Sequence, residues 1–503
     1  MAQTDSASTR VVVIGAGIGG LTAAALLARR GYEVVLLEQA SVPGGCASTF
    51  KRQGFTFDVG ATQVAGLEPG GIHHRIFSEL GLEVPAATFC DPACAVFLPG
   101  EREPIRVWRD PAQWQAERQR QFPGSEPFWR LMAILFRYSW AFQSRDPVLP
   151  FRNLWDLGQL LQALRPGTLL TAPFTLLTVG DALRGLGLGG DRRLKTFLDL
   201  QLKLYSQVDA DATALLYAAT ALGLSQAPWG LYHLKGSMQV LSDRLMAAFH
   251  RDGGKLLLRH RADHIHTQAG RVTGVTLRHL KTNQTWVESA DHVVANVTVQ
   301  NLVELLGDAT PSSYRQRVRN LPPSSGAFVV YLGVDQQAIP AECPPHLQFL
   351  YDYEGKIGEN NSLFVSVSRA GDGRAPEGKA TIIASSFTDI QPWWDPGTDY
   401  ASLKQHYTQQ EIARLSQYFD LNDATLLHIE AATPRTFARF TARDRGIVGG
   451  IGQRISTFGP FGMATRTPFP NLWLVGDSTH PGEGTAGVSY SALTAVRQLE
   501  ASL

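Results

Sequence analysis

This chain predicts an α/β fold: a parallel sheet of the nucleotide-binding kind, left and re-entered around a discontinuous second unit of mixed α+β character. Three observations carry that reading. The run Val11–Ile14 feeds Gly15-x-Gly17-x-x-Gly20 and an Ala/Leu-rich helix, and the next apolar strand, Val34–Leu37, ends in Glu38. The C-terminal region repeats the same grammar, with NLWLVGD (Asn471–Asp477), a glycine-rich turn and the helical pattern GVSYSALTAVRQLEA. At 503 residues the chain also exceeds one ordinary core, so two units are expected.

Each part of the first motif has a task in holding a dinucleotide. Gly15 permits the tight turn, Gly17 lets the backbone approach a pyrophosphate, and Gly20 lets the helix lie close on the sheet. The helix start offers unpaired N–H groups to phosphate. Glu38 can accept hydrogen bonds from ribose hydroxyls and repels a 2′-phosphate.

After Glu38 comes a glycine-punctuated loop containing Pro43-Gly44-Gly45, then a return strand at Phe55 to Val59. From about Glu83 to Ser225 the pattern is helical and rich in Leu, Phe and Trp, as in FWRLMAILFRYSWAF and LWDLGQLLQAL, with proline breaks. Near Gly236 the α/β pattern returns. A helix over Met238–His250 precedes short antiparallel strands that turn at Gln268-Ala269-Gly270, and the segment closes on DHVVANV. Further strands, SGAFVVYLGV, SLFVSVS and ATIIASSF, fill the stretch from Leu302 to about Ala431. Residues 1–82, 231–300 and 430–503 are therefore expected to form the nucleotide-binding domain, and 83–230 with 301–429 the substrate domain.

Composition narrows the function classes. Hydrophobic residues make up 44% and charged residues 18%, and the net charge is +1, so there is no electrostatic case for nucleic acid. Cys46, Cys90, Cys94 and Cys343 are too few and too scattered for a disulfide framework, and no His cluster completes a metal site. They read as reduced structural thiols. The opening MAQTDSASTR has no apolar targeting core. Pro166–Gly180 is too short to span a bilayer, and Ala212–Leu234 is broken by polar residues, Pro228 and Gly230; both read as core or interfacial helices.

The second strand–Gly-Asp–glycine-turn–helix unit points to a flavin held along its whole length rather than to a nicotinamide. Asp477 can bind ribityl hydroxyls. The N–H groups around Gly487 and Val488 can stabilise negative charge at the flavin N1/C2=O edge.

With these motifs in place, the chain resembles the FAD-dependent carotenoid desaturase and isomerase family, the phytoene-desaturase-like branch of the amine-oxidase flavoproteins. The resemblance spans nearly the full length and rests on VVVIGAGIGGL, the Pro43-Gly44-Gly45 turn with GFTFDVGAT, LKGSMQVLSDRL, TPRTFARFTARDRGIVGG and NLWLVGDSTHPGEGTAGV. Within it, GGCASTF, FDVGATQVAGLEPGG and HPGEGTAGVSYSAL look most like the cyanobacterial carotenoid 3′,4′-desaturases. It implies a Rossmann-type (GR2-like) FAD-binding domain. Gly15, Gly17, Gly20 and Glu38 would bind the ADP half, and Gly44 and Gly45 would lie along the pyrophosphate and isoalloxazine. Ala262 would meet the adenine through its backbone, and Asp477, Gly487 and Val488 would hold the flavin end. Many relatives carry Arg after the Gly-Gly pair; this chain has Cys46, which removes a possible cationic contact.

The activity implied is desaturation of an acyclic or monocyclic carotenoid at the 3′,4′ position: hydride transfer from an allylic C–H to flavin N5, then proton loss. Two alternatives stay open, cis–trans isomerisation with reduced FAD and no net redox change, and a non-catalytic carotenoid-binding flavoprotein. An amine oxidase fits poorly, because Tyr490 falls after the glycine turn. His480 is the candidate proton acceptor, with capping of the turn as its structural alternative. Arg435, Arg439 and Asp444 suggest an ion-pair network near the site. The substrate implies peripheral association with the cytoplasmic side of a membrane, through Phe128, Trp129, Leu131, Met132, Leu135, Phe136, Trp140, Trp155, Leu157 and Leu161, with Arg130, Arg137 and Arg152 near headgroups; inward packing of the same helix is the alternative. The electron acceptor is left open.

Overall fold

The computed structural model describes residues 9–503; of the N-terminal targeting expectation, Met1–Ser8 lie outside the described residues. At the centre is a five-stranded, all-parallel sheet in the order Leu472–Leu474, His292–Ala295, Arg10–Ile14, Glu33–Glu38, Lys255–Leu258. Its strands are apolar on both faces because both faces are covered. On one side lie the helices Ile18–Arg29, Gln239–Arg251 and Thr485–Glu500. On the other lie an antiparallel three-stranded sheet (His260–Gln268, Arg271–His279, Thr285–Ser289) and the helix Val299–Leu306. Every residue from Ile18 to Ala28 is buried. Its alanines let the first helix sit between its two neighbours without filling the gap with side chains.

A seven-stranded sheet forms the second unit, in the order Leu426–Ala432, Gly326–Asp335, Lys379–Thr388, Ser362–Val367, His346–Leu350, Cys94–Phe97, Ile105–Val107. All its pairings are antiparallel except His346–Leu350 with Cys94–Phe97. The helix Tyr400–Leu415 packs behind it, and Phe55 and Phe57 pack in front. Helices between Pro111 and Gly223 close over one end.

The helix Glu126–Gln143 corrects the membrane-patch expectation. Phe128, Trp129, Met132, Leu135 and Phe136 form one helical stripe, and all five are buried. Phe128, Trp129, Met132 and Leu135 join the core containing Trp114 and Phe197, with Trp114 and Trp129 edge-to-face at 5.5 Å. Arg130, Ile134 and Arg137 occupy the outer face instead. Exposed apolar side chains gather in the following stretch: Leu154 is 85% exposed, Leu170 71% and Leu176 62%, joined by Phe151, Leu161 and Leu169. Among the described residues no helix is long and apolar enough to cross a membrane.

The two units are pinned by a buried polar cluster. Arg374 donates from Nε and Nη2 to Asp58 Oδ2 at 3.1 and 3.0 Å, and from Nη1 to Leu234 O at 2.8 Å and Asp372 Oδ2 at 3.2 Å. Asp58 Oδ1 accepts the Met238 N–H at 2.8 Å, and His233 Nε2 lies 2.9 Å from Asp372 Oδ2. One guanidinium thus ties the Phe55–Asp58 strand, the Tyr232–Leu234 strand and the loop before Lys379–Thr388. Removing one partner of a buried ion pair leaves charge without compensation, at about 3–5 kcal/mol. Arg374→Met is therefore expected to lower the unfolding free energy by about that amount, measured by urea denaturation.

Candidate functional site

The first glycine turn closes against the end of the neighbouring strand Glu33–Glu38. Gly15 donates its N–H to Leu37 O at 2.8 Å. A Cβ at Gly20 would stand 1.9 Å from Gly15 O, so the helix reaches its position only because that carbon is missing. Gly44, at φ +121°, donates to Ala16 O at 2.8 Å and bridges Gly17, laying the second glycine turn directly on the first. Glu38 is buried; its Oε2 accepts the Ala16 N–H and its Oε1 the Ala40 N–H, both at 2.8 Å. Burial pushes its carboxyl above the usual range, against the pull of those two N–H groups. Ala262 sits at a bulge in the hairpin strand, flanked by Arg261 and Asp263, whose Oδ1 accepts from Arg261 Nε at 2.7 Å.

At the other end, Asp477 follows Gly476 (φ +109°) and pairs through Oδ2 with Arg443 Nη2 at 2.7 Å. The final helix begins at Thr485, so Val488 N–H is already committed to Gly484 O at 3.0 Å. The helix-start N–H groups without an intrahelical acceptor are those of Thr485, Ala486 and Gly487. Val488 lines the cavity wall.

The expected network of Arg435, Arg439 and Asp444 does not form. Arg435 donates to Trp393 O and lies over the Tyr400 ring at 4.7 Å, Arg439 lies over Phe440, and the Asp444 N–H donates to Asn301 Oδ1 at 2.9 Å. The helix Pro434–Thr441 ends at Ala442, whose left-handed φ of +56° turns the chain and sends Arg443 inward instead. Arg443 stands beside Cys46 and Asp477, and Cys46, with its thiol pushed up by burial, feels its charge.

These elements line one continuous cavity of about 1450 Å³. It runs from Glu38, Ala262 and Asn296, past Gly17, Gly44, Cys46 and Asp477, into an apolar slot walled by Trp140, Tyr205, Tyr217, Phe387 and Phe458. Two titratable side chains stand where the slot begins. His480 lies between Phe458 and Tyr490, with ring centroids 5.7 and 6.4 Å away. Its Nε2 is 3.4 Å from Gln143 Oε1, and burial lowers its pKa to about 4, so the imidazole is neutral at pH 7. Glu483 accepts from Gln207 Nε2 at 2.9 Å through Oε2, while Oε1 is sealed without a partner. Burial drives its carboxyl well above the ordinary range.

A cradle that Cβ atoms would fill, a carboxylate at one end, and Asp477 with free N–H groups at the other suit an extended dinucleotide with a ring at the slot. Of the residues named from sequence, Gly15, Gly17, Gly44, Gly45, Gly487, Val488, Glu38, Ala262 and Asp477 line this cavity, Gly20 packs behind it, and Asn296, Arg443 and Glu483 were missed. The signal for Asn296 was its position directly after the apolar run VVA of the central strand. Glu483 was visible as the one acid in the C-terminal glycine turn.

A family model described as flavin containing amine oxidoreductase matches residues 18–499. Prolycopene isomerase 2 of an Oncidium hybrid cultivar is 28% identical over 98% of this chain and 84% of its own length. The zeta-carotene-forming phytoene desaturase of Myxococcus xanthus is 26% identical over 98% of this chain and 95% of its own. An oxidoreductase from Methanosarcina mazei superposes with a TM-score of 0.64 at 18% identity, over 97% of this chain and 100% of that one, which establishes the shared fold.

Gly17→Ala would place a Cβ 2.9 Å from Asn296 Nδ2 at the cofactor face of the turn. The variant is expected to fold but to purify largely without bound flavin. Circular dichroism and the flavin-to-protein absorbance ratio check both halves of that expectation.

Proposed function

The chain belongs to the flavin-containing amine oxidoreductase family, and from that footing we propose that it is an FAD-dependent carotenoid desaturase acting at the 3′,4′ position of an acyclic or monocyclic substrate. The carrying observation is the continuity of the dinucleotide cradle with an aromatic slot that carries one histidine and one carboxyl, His480 and Glu483, where it begins. Relatives named as a phytoene desaturase and a prolycopene isomerase support a polyene as the occupant. FAD, when bound, supplies the two-electron acceptor that desaturation requires.

The chain's own residues bind, orient and manage one proton. Gly15, Gly17, Gly20 and Glu38 hold the ADP half, the Ala262 backbone meets the adenine, Gly44 and Gly45 lie along the diphosphate, and Asp477, Gly487 and Val488 hold the ring end. Segments 1–82, 231–300 and 430–503 bind the cofactor, and 83–230 with 301–429 bind the substrate. The slot excludes water and keeps the target bond against the cofactor ring. His480 receives the proton: with Nε2–H assigned to Gln143 Oε1, its Nδ1 carries a lone pair without a protein partner.

Drawing a carotenoid from a bilayer into an equally apolar slot yields little hydrophobic free energy, so the mouth must meet the membrane directly. Phe151 and Leu169 line the cavity and are also exposed, which supports a mouth among Leu154, Leu161, Leu170 and Leu176, with Arg152 and Arg165 exposed beside them. This is the membrane-facing patch, in place of the buried Phe128–Phe136 stripe.

A second reading, cis–trans isomerisation, is supported by prolycopene isomerases as similar to this chain as the desaturase is. Incubation with an acyclic carotenoid separates the two. Desaturation yields a product two hydrogens lighter by mass spectrometry, unchanged mass with altered geometry marks the isomerase, and unaltered substrate overturns both. The purified chain is also expected to float with anionic liposomes. A Leu154→Ser, Leu170→Ser, Leu176→Ser variant should stay in the soluble fraction.

A further inference from the structure

We propose that Arg443 is a cofactor-binding residue, and that its free guanidinium nitrogen Nη1 holds the diphosphate of the flavin dinucleotide. The inference rests on the reading of this cavity as an FAD site. Arg443 has two of its nitrogens engaged: Nε donates to Ile447 O at 2.6 Å, and Nη2 pairs with Asp477 Oδ2 at 2.7 Å. Nη2 is sealed from solvent. Among the described residues Nη1 has no protein acceptor; it is not one of the sealed atoms, and Arg443 lines the cavity. Its open side therefore faces the cavity.

What lies opposite is set by the backbone. Cys46 follows the Gly44–Gly45 turn, and a Cβ at Gly45 would come 3.4 Å from Gly17 Cα, so this turn is stacked on the phosphate-facing start of the first helix. Arg443 stands within electrostatic reach of Cys46, one residue beyond that stack. Three other titratable groups around Arg443 have partners of their own. Lys203 donates to Gln207 O at 2.9 Å and Ser325 Oγ at 3.0 Å, Asp477 is paired with Arg443 itself, and Glu483 accepts from Gln207 Nε2 at 2.9 Å. A rigid, always-charged fork with an open N–H edge, next to a glycine turn and a helix start, matches a diphosphate in geometry and sign. It also brings a cation to the place where Cys46 leaves none, from a segment some 400 residues further along the chain.

Binding titrations of the full-length chain test this by fluorescence quenching, with FAD compared against riboflavin, which has the ring and ribityl chain but no phosphate. Arg443→Met is expected to weaken FAD roughly tenfold to hundredfold, the size of losing charge-assisted hydrogen bonds, while changing riboflavin much less. Arg443→Lys should fall between, since it keeps charge without the fork, and it carries the same comparison should the Met variant fail to fold. Adding Cys46→Arg to Arg443→Met is expected to recover FAD affinity, which a merely structural role for Arg443 would not permit. Unchanged FAD affinity in Arg443→Met, or equal weakening of FAD and riboflavin, overturns the proposal while leaving the flavin reading in place. A wild-type chain that takes up neither ligand removes the flavin reading and this proposal with it.

Discussion

The architecture depends on one close approach, where the side chain of Asn296 stands among backbones that carry no Cβ. Its Nδ2 donates to Gly15 O at 3.3 Å, and Cβ atoms at Gly17, Gly19, Gly20 or Gly476 would each come within 3.1 Å of it. Gly15–Gly20 and Gly476 lie more than 450 residues apart in the chain. They meet because their strands flank the same central strand, His292–Ala295, and Asn296 is the residue that leaves it. The C-terminal motif is thus tied to the first by sterics as well as by sheet pairing. A methyl group at any of these glycines would push on the residue that holds the others.

Burial governs the electrostatics of the cavity in the same way. Low dielectric makes an unpaired charge costly, and the side chains respond by pairing or by neutralising. Arg443 and Asp477 pair. Among the described residues His480 and Glu483 have no counter-ion in contact, and burial opposes the charged form of each, lowering the pKa of the imidazole to about 4 and raising that of the carboxyl. The entrance to the slot therefore presents an imidazole that is neutral at pH 7 beside a carboxyl whose ionisation burial opposes.

Period and punctuation made most of the fold legible. The Val11–Glu38 unit, the hairpin turning at Ala269-Gly270, the strands Gly326–Asp335 and Lys379–Thr388 and the final helix each carry a local signal, a run of β-branched residues or a glycine where φ is positive. Signals that depend on the direction of a face were not legible. The stripe Phe128–Phe136 has the spacing of an amphipathic helix whether its apolar side meets lipid or core, and only the position of Trp114 and Phe197 decides. In TPRTFARFTARD a helical reading extends through Arg439 to Asp444, but the left-handed residue at Ala442 is invisible to periodicity and selects Arg443 instead. Asn296 follows a buried strand and looks like a simple strand end until both glycine turns are placed around it.

The cavity's continuity constrains what kind of chemistry the fold can host. A dinucleotide cradle that opened to solvent at its ring end would suit small polar substrates, because water could carry protons to and from the reacting atoms. Here the cavity continues from Asp477 onto Tyr205, Tyr217, Phe387 and Phe458, with His480 and Glu483 beside the point of entry. Both belong to the segment that also presents Asp477 and the helix start at Thr485. Asp477, His480 and Glu483 therefore share one turn of eight residues, Asp477 to Gly484, and a shift of that turn moves them together. Its position is held from beneath, by Ser491 Oγ accepting from Gly476 N at 3.2 Å and contacting Thr479 Oγ1 at 2.6 Å, both bonds fully buried. The polar residues of the last helix, which a purely apolar packing face would lack, fix the height of that turn over the sheet.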